Sequence, residues 1–403
     1  MGLRLMSVAG LLALIALAWA LSENRSKIPW RLVAWGVALQ FAMGLLILQT
    51  PVKGVLFSAM DKAVGILTNS ATEGAAFVFG SLARTPEQYG THFAFRVLPV
   101  IIFVSAISSI LFHYRVIPTA VSAIAWIMRR TLKTSGAETF AAALLIFLGI
   151  ESATAIRAYL KDMTRSELCT IMTTFMATIA GSVMVTYATF GAEPGHLLTA
   201  SLMSAPAAIV IAKMMVPELG KPQTSGDVPV RIEVETRNAI DAATQGAAQG
   251  LTMALQVGAM VIVFVGLVYL LDMLTQTITG KSFVELLSYL FWPFAYLMGV
   301  PPDDVPAVSQ LLGKKTALNE FLAYLDFKEL LAQNTLSPRA RTIVTYALCG
   351  FSNPGSMAIA IAALDALVPE RRIDISQLAF KSFIGGTLAC FMTACIAGVL
   401  VYE

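Results

Sequence analysis

The run IVTYALCGFSNPGSMAIAIAAL, residues 343–364, is long and apolar enough to cross a bilayer, yet it carries Ser352, Asn353, Pro354, Gly355 and Ser356 at its centre. Pro354 removes one backbone donor and clashes with the preceding turn, so a helix through this run must open around Phe351 to Ser356. In hydrocarbon, freed backbone groups persist only where protein or a water-filled site satisfies them, so a broken span marks a site. A second run, 168–190, has Ala180, Gly181 and Ser182 in its middle. Each broken run follows an apolar region too short or too interrupted to cross: about 138–160, pivoting at Gly149, and about 304–332, pivoting near Gly313. Both regions read as re-entrant hairpins of two half-length helices. The order hairpin, broken span, span therefore occurs twice, and inverted repeats with broken helices are the build of secondary transporters.

The rest of the chain fits that frame. Of its 403 residues 57% are hydrophobic and 13% charged, against roughly a quarter charged in soluble domains. Mean hydropathy is +0.73. Further apolar runs lie at about 3–21, 30–50, 94–112, 197–216, 251–271 and 382–401, which with the two broken runs makes eight candidate spans of the roughly 20 residues a bilayer requires. Residues 1–21 are read as a retained span, because Glu23, Arg25, Lys27 and Arg31 follow at once and a second apolar run then begins. Leu56, Met60, Val64 and Leu67 repeat at helical spacing opposite Asp61, Lys62 and Asn69, the pattern of an interfacial helix.

The expected fold is an all-α polytopic membrane protein of about eight transmembrane helices, two re-entrant hairpins in inverted repeats and interfacial helices. It divides into N-terminal spans and an interfacial helix (1–93), a scaffold span and connector (94–137), a first transport repeat (138–216), a cytoplasmic connector, scaffold span and lead-in (217–303), and a second transport repeat (304–403). Lys161 with Arg165, the stretch from Lys221 to Arg237, and Arg371 with Arg372 place three connectors in the cytoplasm by the positive-inside bias. Arg339 and Arg341 fall on the other side and are exceptions.

Several function classes are excluded. The net charge of +3 and the absence of a basic stripe argue against nucleic acid as a partner. No P-loop, HExxH or GxSxG occurs, so an ATP-driven pump or membrane hydrolase lacks its machinery, and no cofactor is expected. Cys169, Cys349, Cys390 and Cys395 lie in or beside apolar runs without metal-ligand spacing and read as small core residues. His92, His113 and His196 sit at span ends and read as solvated or interfacial, Arg157 and Lys161 as holding lipid phosphates or carbonyls at the cytoplasmic edge, and the lone GxxxG of Gly246 and Gly250 as weak.

Two carboxylates stand deep in apolar surroundings, where charge is costly and tends to mark a pathway: Glu151 after the Gly149 pivot, and Glu320 in the second hairpin. Either carboxylate can also serve simply to cap a half-helix N-terminus. Asn353 and Ser356, three apart at the broken span, point polar groups the same way. With a carboxylate opposite they suit vicinal hydroxyls such as those of a sugar, or they satisfy each other. Phe351 offers a ring face to a planar ligand or packs inertly.

These residues resemble the concentrative nucleoside transporters, which couple nucleoside uptake to a sodium or proton gradient. The resemblance runs from about residue 94 to the C-terminus and is carried by Ser135 to Glu138 leading to Gly149 and Glu151, by Ala177 to Val183, by Gly313 to Phe321, and by Cys349 to Asn353 with Ser356. It implies a homotrimer in a bacterial inner membrane, with the nucleoside between the hairpin tips. Glu320, Asn353 and Ser356 match positions that hold ribose hydroxyls, and Phe351 and Val183 match pocket walls. The first hairpin departs from the pattern: the family reads Gly, Gln, then Thr, Ser or Asn, then Glu, whereas Gly149, Ile150 and Glu151 are consecutive here. The glutamate is kept and the base-reading amide is gone, leaving Ile150. Leu145 stands where sodium-dependent members keep an Asn ligand, while Thr178 matches a hydroxyl ligand. A hard cation needs several oxygens, so the expected coupling ion is the proton, carried by Glu151 or Glu320, with sodium held by Thr178 and carbonyls the alternative. Rival readings are a carrier of another polyol-bearing metabolite and a receptor that binds nucleoside without moving it.

Overall fold

The structure, a computed structural model, describes residues 2–84, 93–225 and 236–401; the side chain of Glu151 and the whole of His92 lie outside the described residues. Among these residues the secondary structure is helical, as hydrocarbon demands of a chain that must satisfy its own backbone. The longer helices are α1 (Gly2–Ala20), α2 (Trp30–Leu48), α3 (Val52–Phe79), α4 (Leu98–His113), α5 (Val116–Leu132), α6 (Gly136–Leu144), α7 (Arg165–Ala177), α8 (Gly181–Thr189), α9 (Pro194–Met215), α10 (Ala239–Thr279), α11 (Phe283–Leu297), α12 (Val305–Ala317), α13 (Glu320–Ala332), α14 (Pro338–Leu348), α15 (Pro354–Leu367) and α16 (Arg372–Leu400). Among the described residues, seven segments are long and apolar enough to cross a membrane. The expected eighth, 343–364, is divided between α14 and α15. α7, α9 and the second half of α16 are buried on nearly every face and form the centre of the molecule, whereas α10 is largely exposed on its flanks.

Both broken spans break, and their freed backbone groups are met partly by each other and partly by neighbouring elements. α7 ends at Ala177 and α8 begins at Gly181; α14 ends at Leu348 and α15 begins at Pro354. Phe351 N in the second break donates to Thr178 O in the first at 3.3 Å, and Gly181 N donates to Phe147 O of the first hairpin at 2.9 Å. Cys390 of α16 lies against both breaks, its thiol 3.7 Å from Ala177 O and 3.5 Å from Cys349 O. Lys315, fully buried, donates to Ala347 O at 2.7 Å, and Tyr324 OH donates to Thr345 O at 3.1 Å. Gly350 is required where the breaks approach, since a Cβ there would sit 2.4 Å from Cys390 Sγ and 2.9 Å from Met176 O. Side-chain caps satisfy the donors that the new helix starts expose: Ser135 for α6, Asn319 for α13 and Asn353 for α15.

Several expectations change. The second hairpin turns at Leu318–Asn319 and not at Gly313, which lies inside α12 against Leu287; the polar cap, not the glycine, sets the turn. The stretch read as a connector after the third span contains α5, which buries Ile117, Val121, Ala125, Met128 and Leu132 on one face; Arg129, Arg130 and Lys133 had masked that stripe. α10 has 41 residues, about 60 Å at 1.5 Å per residue, twice the depth of the hydrocarbon layer and far beyond the apolar run 251–271. Gly246 and Gly250 make a close helix contact after all: a Cβ on Gly246 would lie 2.7 Å from Ser105 O, and one on Gly250 2.8 Å from Ile102 Cα of α4. His196 is buried, 3.1 Å from Glu193 and edge-on to Phe57 at 4.9 Å. The charge exception also has a cause. Arg339 is a buried tie that donates to Gly299 O at 2.8 Å, Gly398 O at 2.7 Å and Val401 O at 3.1 Å, so its charge is committed to carbonyls and is no guide to orientation.

Two outcomes follow from this packing. Gly250→Leu should lower the melting temperature in detergent, overpacking costing about 1–3 kcal/mol, while Gly266→Leu, with nothing within 4 Å of its added Cβ, should not; equal effects would contradict the α4–α10 contact. Glu23 accepts from Lys381 at 2.6 Å and from Arg165 at 3.2 Å, tying the α1–α2 loop to α16 and α7. Burial alone would raise its pKa, but the two cations outweigh that and hold it below the ordinary value of 4.5. A carboxylate with a depressed folded-state pKa stabilises above its unfolded value and loses that contribution as pH falls through the folded one. Glu23→Gln should therefore melt earlier than the parent at pH 7, the gap closing as pH falls below 4.5; a gap independent of pH would exclude the charge pair as its source.

Candidate functional site

Two helix starts converge at the centre of the second repeat. Asn319 caps α13 by accepting from Leu322 N at 2.9 Å, which leaves Glu320 as the first helical residue with its carboxylate free to reach across. Glu320 Oε2 accepts from Asn353 Nδ2 at 2.6 Å, and Oε1 accepts from Tyr187 OH at 2.8 Å. Asn353 works in two directions: its Oδ1 accepts from Ser356 N at 2.8 Å, capping α15, and its Nδ2 also donates to Ser356 Oγ at 3.0 Å. All four side chains are buried. The two sequence readings of Asn353, self-satisfaction of the break and presentation of polar groups, thus hold together. Asn319 supplies the side-chain cap of α13, and Glu320 stands in its first turn, where the helix dipole favours a carboxylate. Both oxygens of Glu320 keep a further lone pair, and the Ser356 proton has no acceptor among the described residues.

Tyr187 was not among the expected residues. It lies one helical turn beyond Val183 on α8, and a tyrosine in so apolar a helix needs a partner for its hydroxyl, which was the available signal. Its ring stacks on Tyr324 at 4.3 Å and meets Phe321 edge-on at 5.2 Å, fixing the hydroxyl toward Glu320.

A cavity of about 110 Å³ opens beside this cluster. Glu320, Asn353 and Ser356 line it with Ile150, Val183 and Phe351, so six of the expected residues are brought to one space. Phe351 packs its ring on Phe175 at 5.4 Å and still faces the cavity. α10 closes the far wall with Gln256, Met260 and Phe264, residues the sequence reading passed over. Thr178 is not brought there; its Oγ1 donates to Thr174 O at 2.8 Å within the helix. A second cavity, about 810 Å³, lies on the other side of the first hairpin and shares Gly149 and Met253 with the first. Arg157 and Lys161, expected at a lipid edge, line this larger cavity: the hairpin returns as a 3-10 segment, Ile150–Ile156, followed by the short helix Arg157–Leu160, and that path keeps them against the space facing α10. Among the described residues no group of three or more His, Cys, Asp or Glu could hold a metal ion.

Comparison with known proteins bears on this arrangement. Family models match three successive parts: the Na+ dependent nucleoside transporter N-terminus over residues 9–82, a nucleoside recognition (Gate) model over 94–194, and the Na+ dependent nucleoside transporter C-terminus over 196–398. Rat solute carrier family 28 member 3 is 39% identical over 98% of this chain, which spans 59% of that relative's length. Human sodium/nucleoside cotransporter 1 is 35% identical, with 64% of its length spanned, and the uncharacterized transporter YutK of Bacillus subtilis is 37% identical over 98% of this chain and 99% of its own. The structure of CNTnw in an inward-facing substrate-bound state superposes with a TM-score of 0.93 at 34% identity, covering 99% of this chain and 98% of that one. A substituted CNTnw in an outward-facing state superposes equally, with a TM-score of 0.93. Along its length and in its fold, the chain belongs to the concentrative nucleoside transporter family.

Proposed function

We propose that this protein is a secondary active importer of nucleosides, and that Glu320, Asn353 and Ser356 hold the ribose. The observation that carries the reading is the convergence of a carboxylate, an amide and a hydroxyl from two half-helix starts onto one small buried cavity. Vicinal hydroxyls each offer one donor and two acceptors, and this trio supplies acceptors at Glu320 and both functions at Ser356. Phe351, Val183 and Ile150 provide apolar walls. The names of the similar proteins support nucleosides as the substrate class, and YutK supports a bacterial plasma membrane. A homotrimer, with transport repeats at 138–216 and 304–403, fits the same reading.

The coupling ion we propose is the proton. Leu145, where sodium-dependent relatives keep an amide, is buried and offers no oxygen, which leaves Thr178 Oγ1 as the one side-chain oxygen of that expected set. A hard cation requires several oxygen ligands. Glu320 is one carrier and Glu151 another: protonation converts an acceptor-only carboxylate into a donor and so rearranges the bonds to Tyr187 and Asn353.

Glu320→Gln and Asn353→Ala should each weaken riboside binding about 30-fold or more while the protein elutes normally on size exclusion, since removing one partner of a desolvated charged contact costs about 2–5 kcal/mol. Tyr187→Phe should cost about 10-fold, the scale of one hydrogen bond to a charged group. Near-parental binding by the first two variants would remove the ribose assignment. In proteoliposomes, accumulation of labelled nucleoside against its gradient should increase as external pH falls, survive replacement of sodium by choline and collapse with a protonophore. A sodium requirement would overturn the proton assignment alone, and binding without accumulation would make the protein a receptor.

A further inference from the structure

We infer that the nucleobase is read at the seam between the first hairpin and α10, by the hydroxyl of Ser152 and the side-chain amide of Gln249. The inference rests on the nucleoside reading above and concerns the half of the ligand that reading leaves without polar partners. The cavity beside Glu320 measures about 110 Å³, below the roughly 300–1,000 Å³ of ordinary small-molecule sites, so it suits the sugar and not the whole nucleoside. Across Gly149 and Met253 lies the 810 Å³ cavity, into which a base attached to a ribose held by Asn353 would extend.

Two unanswered polar side chains wait on that side. Ser152 is more than nine-tenths buried, lines the larger cavity, and its Oγ has no hydrogen-bond partner. Buried hydroxyls are rarely left so, and an orphan of this kind calls for a ligand. Across the cavity, Gln245, Gln249 and Met253 repeat every four residues and share one face of α10. Gln245 donates to Asp241 at 3.2 Å, whereas the Gln249 amide has no partner among the described residues, although it stands in a helix apolar enough to span a membrane. Gln249 is exposed to that space, so its donor and acceptor are free to meet a ligand there. The chemistry fits a base: a carboxamide presents a donor and an acceptor in one plane, a hydroxyl presents either, and a nucleobase edge alternates the two. The consecutive Gly149, Ile150 and Glu151 explain the arrangement, since Ile150 faces the sugar cavity and Ser152, two residues on, faces the larger one.

The test is equilibrium binding to the purified full chain of two matched riboside pairs, each differing by one carbonyl on the base: inosine against purine riboside, and uridine against pyrimidin-2-one riboside. The parent protein should prefer the carbonyl-bearing member of at least one pair by about 10-fold or more. In Ser152→Ala and in Gln249→Leu that preference should fall to within about 3-fold, with the affinity of the other member unchanged. Equal affinities within both pairs in the parent, or a preference that survives both substitutions, would overturn the inference. If the preference survives while Asn353→Ala still abolishes binding, the base assignment alone falls; if the parent binds no riboside, the nucleoside reading falls with it.

Discussion

The constraint on which the structure depends is that a helix interrupted in mid-membrane must find partners for its freed backbone groups. Here one bond joins the two interruptions, and neighbouring elements answer the rest. Phe351 N reaches Thr178 O, Cys390 lies against carbonyls of both breaks, and Gly350 permits the approach. The same requirement creates the site. A helix beginning inside the bilayer exposes donors that need partners, and Asn353 caps those of α15. Once capped, its remaining amide group points at Glu320. The polar cluster is thus a consequence of the breaks and not an ornament on them.

Buried polar networks are favourable only when every member is satisfied. Tyr187 and Asn353 satisfy Glu320, and the stacked ring of Tyr324 fixes Tyr187. The first hairpin presents the opposite case, because Ser152 is buried without a partner on the side facing α10. A transporter must bind and release, so a polar cluster held in place by its own bonds and a hairpin wall with an unanswered hydroxyl is a workable division between holding the sugar and choosing the base.

Much of this was legible in the chain. Pro354 in an apolar run announced a break, and the repeated order of hairpin, broken span and span announced the fold; Glu320, Asn353, Ser356, Phe351, Val183 and Ile150 do share one cavity. What could not be read depended on contacts distant in sequence. Gly246 and Gly250 matter only because α4 lies against them, and Tyr187 only because α13 starts nearby. The turn of the second hairpin was misplaced at Gly313 because a glycine is conspicuous, whereas Asn319 sets the turn by capping the next helix. α5 was missed because three basic residues at its end concealed a narrow apolar face.

The central claim is that Asn353 and Glu320 bind ribose hydroxyls directly, and a cycle between protein and ligand tests it most sharply. Affinities of uridine and its 2′- and 3′-deoxy analogues would be measured for the parent and for Asn353→Ala. Direct contact predicts that one deoxy substitution costs the parent about 10-fold or more and costs the variant little, since the lost hydroxyl then has no partner to lose. Equal losses in both proteins, at both hydroxyls, would show that Asn353 supports the helix break alone and that the sugar is held elsewhere.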